Sequence, residues 1–530
     1  MLLRWHLTQS IVLLLVLGFC GVTFKPIQTA QPPPSLTRLP PLNLIPIENQ
    51  HAGSTGWRLG AQIADDVKQQ IKGYASAVSV NQGQPITFYV TVHPAQVYSI
   101  DIYRMGWYGG TGGRFMSHIG PLTGTPQPVC AMEPTTGLLE CHWQAPSSAT
   151  LTVPSSWTSG IYLAHLFNAQ HYESYIIFVV RDDGRPADFL YQQPVATYQA
   201  YNNYPADGAT RKSLYAHNSY GTSTIAGTSQ AVKVSFDRPY AGNGDGQFSS
   251  SVLYEGYFVR WLERMGYNVT YATDLDVHTN GALLEHYKAV LVVGHSEYWS
   301  KAMYAAALTA RDAGIHLAFF GADDVYWQVR FEASRRGIAN RVMVCYKGAA
   351  SHDPVQGERR TDAWRIVGQP EQALIGVQYG LDNAAGLHVP YVVTAHLNWI
   401  FAGTGLKIGS HVPGIVGHEI DYLDLHFPLP SNVAYTLLSR SPFLAGKGVT
   451  GQANSSLYQA PSGAWVFAAG TLAWSWGLAR PGFIDRGIQR ITQNILDHFI
   501  QAPRSLLVTA LITARSSQAV YLPLVMRTKR

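Results

Sequence analysis

The sequence predicts a fold of the α/β plus all-β class: an antiparallel β-sandwich followed by a largely parallel α/β domain. Three observations predict it. Residues from Tyr74 to Val180 alternate apolar and polar with period two in short runs. Beyond "RDDGRPADFL" the texture changes to strand-like and helix-like runs in alternation. The length, 530 residues, is too great for one ordinary core, so two domains or more are expected.

In the first region "ITFYVTV" puts Ile86, Phe88, Val90 and Val92 on one face, "VYSIDIYR" continues the alternation and "YESYIIFVV" closes it. Gly, Pro, Ser and Thr clusters separate the runs, which predicts a sandwich of the Ig-like kind. The insertion "MGWYGGTGGRFM" (105–116) reads as a Gly-rich aromatic loop that lines a site or packs on the next domain, the packing role being preferred. In the second region "SSSVLYEGYFVRWLERMG" has helical spacing through Leu253, Tyr257, Trp261, Leu262 and Met265, and Gly266 stops it. Strand-like "NVTYAT" and "KAVLVVGH", helix-like "SKAMYAAALTARDAG" and strand-like "HLAFFGADD" follow in turn. After about residue 340 short strands mix with "GIVGHEIDYLDLHF" (414–427), and the helix "RGIQRITQNILDHFI" ends the region.

The ends carry other signals. Arg4 and His6 precede the apolar run Ile11–Phe24, short for a membrane span and suited to a signal peptide or an N-terminal membrane anchor. The Pro-rich "QPPPSLTRLPPLNLIP" then reads as a linker. The expected division is 1–30 signal or anchor, 31–66 linker, 67–183 sandwich, 184–502 α/β domain and 503–530 tail. A secreted or extracytoplasmic location follows, with membrane contact only through the N-terminal segment. Of four cysteines, Cys130 and Cys141 bracket a turn-like loop that an oxidising compartment would close, and Cys345 reads as a buried thiol. The net charge of +5 is spread without a basic run, so nucleic acid is not an expected partner.

Chemistry first shows in "VLVVGHSEYWS" (290–300), where an apolar strand runs through one glycine into His295, Ser296 and Glu297. Three readings compete. "GHSEY" fits all but the last glycine of the G-x-S-x-G elbow, which makes Ser296 a weak candidate nucleophile. His295 and Glu297, two apart on an extended strand end, face one side and could serve a metal. Alternatively Glu297 caps the next helix and His295 is satisfied by a backbone carbonyl. Ligands of parallel sheets sit beyond the carboxyl ends of strands, so His295, Glu297, Asp323 and Asp324 are expected to share a crevice.

A second stretch, "ATYQAYNNYPADGATRKSLYAHNSY" (196–220), interleaves tyrosines with Asn, Gly and Asp and follows neither helical nor strand period. Such a loop can bind sugars, pack rigidly or supply phenolate ligands to ferric iron. Together with "VLYEGYFVRWLERMGYNVTYATDLDVH", "YKAVLVVGHSEYWS", "GADDVYWQVRFE" and "GHEID", it resembles the large subunit of N,N-dimethylformamidase and its broader family over roughly residues 70–500.

The resemblance implies a mononuclear non-haem ferric iron held by two tyrosines and a glutamate. These carry onto Tyr201 (with Tyr198 the alternative), Tyr215 and Glu297, with His295 beside the metal and the catalytic carboxylate on Glu419 in "GHEID", near Asp421. One departure is "YPADGATR" between the tyrosines, where relatives are usually shorter and Gly-rich. The expectation is an exported iron-dependent amidohydrolase acting on a small amide, with a small partner subunit and an amidotransferase-like topology for its α/β domain. The rival is a non-catalytic cell-surface protein that binds glycans or another protein on the same fold. In a third reading Ser296 is the nucleophile of a metal-independent hydrolase.

Overall fold

The alternation of "ITFYVTV" is visible in what the strand buries. In the computed structural model, which describes residues 42–242, 254–382, 388–431, 433–444 and 450–500, Ile86, Phe88 and Val90 of strand Pro85–Thr91 are fully buried, as is Val92 beyond it. This strand lies between Lys72–Ala75 and Ser148–Thr152 in an antiparallel sheet. A five-stranded sheet, in the order Ser79–Asn81, Glu173–Arg181, Gly160–Asn168, Gln96–Met105, Gly113–Gly124, completes the core with Ile100, Ile102, Tyr162, Leu166 and Phe178.

The outer face of such a sheet is ordinarily left to water. Here Ile161, Leu163, Tyr175, Ile177 and Val179 on that face join Phe189, Tyr191, Tyr267 and Tyr271 of the following region in one cluster. That double burial is why "YESYIIFVV" is almost unbroken in apolar residues.

The Gly-rich loop helps lock the two regions together. A Cβ on Gly106 would lie 2.3 Å from Glu263 Oε2, and the Arg264 guanidinium lies 5.0 Å from the Trp107 ring centroid. Arg104, on the strand entering the loop, forks onto Glu263 at 2.7 and 3.0 Å, both side chains being fully buried. Tyr271 donates to Glu263 at 2.8 Å, and Arg104 also donates to the Ser159 carbonyl and the Tyr108 hydroxyl, each at 2.8 Å. Tyr108 in turn donates to Glu48 at 2.7 Å, beside Arg114 and Thr158, each donating at 2.8 Å. Part of the expected linker is therefore packed. Pro46 lies at the start of the short helix Ile45–Glu48, where its missing N–H costs nothing. The Asn43 and Asn49 amides donate to the Gly266 and Glu263 carbonyls at 2.8 Å each.

The second region is built on a seven-stranded sheet in the order Val269–Thr273, Phe189–Gln193, Ala289–Gly294, His316–Gly321, Trp465–Ala468, Ser456–Gln459, Ala434–Leu437. The first five are mutually parallel, and the last two pairings are antiparallel, so that Ser456–Gln459 runs against the rest. Leu291 and Val293 face a cluster shared with helices Glu255–Arg264 and Arg486–Ile500, while Val290 and Val292 face Met303, Tyr304 and Ala307 of helix Lys301–Asp312. Burial on both faces accounts for the unbroken run "AVLVV". In helix Glu255–Arg264 the buried face is Phe258, Val259, Trp261 and Leu262. Tyr257, placed in that stripe by spacing, is instead half-buried beside Arg260, and Leu253 lies outside the described residues. Helix Lys301–Asp312 is capped by Ser300, whose hydroxyl accepts the Met303 N–H at 3.2 Å, so the capping role weighed for Glu297 falls elsewhere.

Two smaller units complete the frame around the strand ends. A four-stranded sheet, in the order Lys233–Ser235, Val342–Val344, Trp327–Glu332, Tyr298–Ser300, and a hairpin of Gln378–Asp382 with Glu419–Tyr422 bring in side chains from distant sequence. Cys130 and Cys141 form a disulfide. Cys345 is buried, and desolvation pushes its thiol up to about 12, so it is inert. Among the described residues no helix is long and apolar enough to cross a membrane. The apolar run 11–24 and the tail 503–530 lie outside them.

Two expected outcomes test this core. Arg104→Met strands the Glu263 charge and should cost about 3–5 kcal/mol in denaturant unfolding, part of which Arg104→Met/Glu263→Leu recovers; a loss typical of an exposed pair would contradict it. Burial opposes ionisation of Glu48, but the Arg104 charge and bonds from Arg114, Tyr108 and Thr158 prevail and hold its pKa at about 2, below its ordinary 4.5. A depressed carboxyl contributes stability that is complete above the unfolded value and is lost as pH falls through the folded one. The melting temperatures of the parent and Glu48→Gln should therefore converge as pH drops through that window, and a constant gap would reject the assignment.

Candidate functional site

Gly294 and Gly321 are register partners at the carboxyl ends of two adjacent parallel strands. A Cβ on Gly321 would lie 1.8 Å from the Gly294 carbonyl oxygen, so the close approach admits glycine alone. The chains leaving these strands, His295–Glu297 and Asp323–Asp324, therefore emerge side by side. The backbone around them is strained: Asp323, Val325, Lys347 and His418 all have φ between 50° and 60°. Such conformations persist only where the surroundings enforce them.

The Tyr-rich stretch is held beside these ends by its own backbone bonding. Strand Phe189–Gln193 leads into helix Val195–Tyr201, and the chain folds back so that Leu214 N–H donates to the Ala200 carbonyl at 3.0 Å. The Asn218 amide donates to the Tyr201 carbonyl at 3.3 Å. Arg238, fully buried, donates to the carbonyls of Gln199, Asn202 and Lys212 at 3.3, 2.8 and 3.0 Å. Tyr201 and Tyr215 stack at 4.2 Å between centroids. Tyr198 is buried in the core and its hydroxyl accepts from Gln193, so of the two alternatives Tyr201 is the one stacked on Tyr215.

At the centre, Tyr215 Oη donates to the Glu297 carboxylate, 3.0 and 2.8 Å from its two oxygens, and accepts from the Tyr298 hydroxyl at 2.7 Å. The Trp327 indole donates to Glu297 Oε1 at 2.8 Å, and Glu297 N–H donates to Thr197 Oγ1 at 3.1 Å. His295 Nε2 lies 3.3 Å from Glu297 Oε2, 3.5 Å from Asp323 Oδ2 and 2.9 Å from Glu419 Oε2. Lys347 Nζ sits 3.3 Å from the Tyr215 ring centroid and also faces Tyr298 and Trp327. Glu297 and Asp323 are buried, whereas Tyr201, Tyr215, His295 and Glu419 are half-buried, so the recess opens on one side.

Burial and the neighbouring Glu297 charge raise the Tyr201 and Tyr215 phenols well above their ordinary range. Asp323 is pushed up by burial and by Glu297 and Glu419, and Asp421, beneath it, rises to about 7, chiefly by burial. His295 rises although burial opposes its charge, because Glu419, Asp323 and Glu297 surround it. Glu297 is lowered against burial by His295, Lys347 and Tyr215.

Three carboxyl groups surround one imidazole nitrogen, and burial with the neighbouring Glu297 and Glu419 charges favours the protonated form of Asp323. Asp323 Oδ1 has no hydrogen-bond partner among the described residues. Ligand atoms of His295, Asp323 and Glu419 lie within 4.8 Å of one another, close enough to hold a metal ion. The Tyr201 and Tyr215 phenols with Glu297 add an oxygen-only set to the same recess, of the kind a hard cation prefers. Ser296 is different: its buried hydroxyl accepts the Trp299 indole at 2.9 Å and its N–H donates to Asp324 at 3.0 Å, as a turn residue would.

Residues 99–489 match the family model described as N,N-dimethylformamidase beta subunit-like, C-terminal. This chain belongs to that family. The match begins within strand Gln96–Met105 and ends within helix Arg486–Ile500, so the dimethylformamidase-like part contains every site residue named above. The N,N-dimethylformamidase beta subunit of Alcaligenes sp is 25% identical over 290 residues, covering 47% of this chain and 37% of that relative. The chain thus matches little more than a third of that protein's length. Among solved structures, a cellulose-active LPMO in complex with copper aligns at 11% identity over 19% of this chain and 50% of its own, with a TM-score of 0.12. At that score the likeness bears on neither fold nor site.

Sequence reading placed Asp323 in the crevice without a role and missed Tyr298, Trp327 and Lys347 as neighbours of Glu297. Lys347 follows the apolar run "VMVCY" and reads as an ordinary lysine at a strand end. Only the tertiary fold brings it, nearly fully buried, against Tyr215.

Proposed function

We propose that this protein hydrolyses a small amide with a mononuclear, non-haem ferric iron held by Tyr201, Tyr215 and Glu297, His295 and Glu419 moving the protons. The observation that carries the reading is the convergence of two phenols, three carboxylates and one imidazole in a half-open recess within the family-matched residues. Bound there, the iron would supply Lewis acidity toward a carbonyl or a water. Glu419, half-exposed beside His295, takes a proton from the attacking water as general base. His295, kept protonated by the carboxylates around it, gives its Nε2 proton to the departing amine as the carbon–nitrogen bond breaks, and the proton held on Glu419 replaces it. Water and amide become carboxylate and amine.

The same reading takes the sandwich as Ig-like and the parallel sheet as amidotransferase-like, the site at the strands' carboxyl ends agreeing with the latter. The Cys130–Cys141 disulfide and the apolar run 11–24 support export to an oxidising compartment. A small partner subunit is part of the proposal because the matched relative is named a beta subunit.

Elemental analysis and visible absorption of the purified protein test the metal. Near-stoichiometric iron with a tyrosinate charge-transfer band is expected, and Glu297→Gln should lose both. Iron-free protein after reconstitution would favour the non-catalytic binding protein. Glu419→Gln should keep the iron and the band while amide turnover falls by about 10²–10⁴-fold, the usual contribution of a general base. Undiminished turnover would remove Glu419 from the chemistry, and activity indifferent to chelation but lost in Ser296→Ala would shift it to Ser296.

A further inference from the structure

Next to the recess stands a wall of rings with an arginine and a histidine that the proposed chemistry does not use. Tyr254 and His418, the residue before Glu419, meet edge-on at 5.6 Å between centroids. Trp476 contacts His418 at 5.2 Å and His388 at 4.6 Å, and Phe483 packs on Trp476 at 4.9 Å. Through His418, which precedes Glu419, the wall adjoins the reacting end; the Tyr254 phenol is raised chiefly by burial, with smaller effects from His295, Glu255, Glu419 and Arg480. All but Trp476 are only half-buried, so the wall keeps an open side.

Arg480 lies 3.5 Å from the Trp476 ring centroid and 4.7 Å from that of Phe483. Its Nη1 is out of contact with water and has no hydrogen-bond partner among the described residues, and the same holds for His388 Nδ1. A buried donor without an acceptor is costly, and a guanidinium is the side chain best shaped to take a carboxylate with two parallel bonds. Nearer the reacting end His295 is already engaged by Glu297 and Glu419, whereas Arg480 Nη1 has no acceptor among the described residues, so an anionic group of the substrate is directed to Arg480.

We infer that this wall is the recognition subsite for the rest of the substrate, and that the amide carries a flat apolar group and a carboxylate. An N-acyl or N-formyl aromatic amino acid fits this description: its ring lies against Phe483 and Tyr254, the half-buried rings that flank Trp476, its carboxylate meets Arg480 and His388, and its amide reaches toward Glu419. The inference rests on the amide-hydrolase reading and deepens it.

The test compares N-formyl-L-phenylalanine with N-(2-phenylethyl)formamide, the same molecule without its carboxylate, on iron-loaded protein. The parent should favour the acid in kcat/KM, and Arg480→Met, which keeps an apolar stem over Trp476, should cut the acid-to-neutral ratio by about 10–100-fold, the scale of a lost charged hydrogen bond. Equal kcat/KM for the two compounds in the parent overturns the inference without any variant, as does a ratio unmoved by Arg480→Met. Calorimetric dissociation constants separate it from the hydrolase reading. If neither compound is cleaved yet the acid binds more tightly and only with Arg480 present, the subsite stands and amide hydrolysis falls. If both are cleaved and bind equally, hydrolysis stands and the subsite falls.

Discussion

The site depends on the contact between Gly294 and Gly321. Two parallel strands run in register to these residues, and the Gly294 carbonyl occupies the space that a side chain at 321 would need. Because the strands stay in contact to their last residue, His295 and Asp323 leave the sheet close together rather than splaying apart with its twist. The left-handed backbone at Asp323 and Val325 follows from this crowding: the chain must turn at once to avoid its neighbour.

Charge balance is handled differently at the two polar centres. Arg104, Arg114, Glu48 and Glu263 form a neutral set with its hydrogen bonds largely satisfied inside the protein, which ties the sandwich, the N-terminal helix and the α/β region together. The recess beyond the strands is unbalanced, with more carboxyl groups than His295 can satisfy and an Asp323 oxygen without a partner among the described residues. A closed network of the first kind supports a fold. An imbalance of the second kind is where a cation or a substrate has something to gain.

Much of the frame was legible because burial leaves a period in the sequence. The four residues of "ITFYVTV" and the run "AVLVV" declared one-faced and two-faced burial, and both are found. What periodicity could not declare was cover supplied from elsewhere: the outer face of the five-stranded sheet, or the packing of residues 42–66 beneath a Pro-rich composition. In the site, "GHSEYW" and "TYQAYNN" stood out because polar residues at strand ends and tyrosines off any period have no core explanation. Lys347, Trp327 and Tyr298 did not, since each continues a pattern that a core explains. Tyr198 and Tyr201 were indistinguishable by spacing, and the helix from Val195 separates them by turning Tyr198 to the core.

The recess holds two donor sets, and their surroundings divide the work on the reading proposed. Tyr215 and Glu297 are fixed by Tyr298, Trp327, Thr197 and Lys347, so their oxygens cannot easily leave the positions they hold. The Glu419 carboxylate is held less: it begins a hairpin strand after the strained His418, is half-buried, and among the described residues its contact is the 2.9 Å approach to His295. A ligand gains from rigidity because binding then orders nothing further, whereas a group that collects and delivers a proton must reorient between water and the leaving nitrogen. The fixed set is therefore suited to holding a cation, and Glu419, loosely held beside His295, to moving protons.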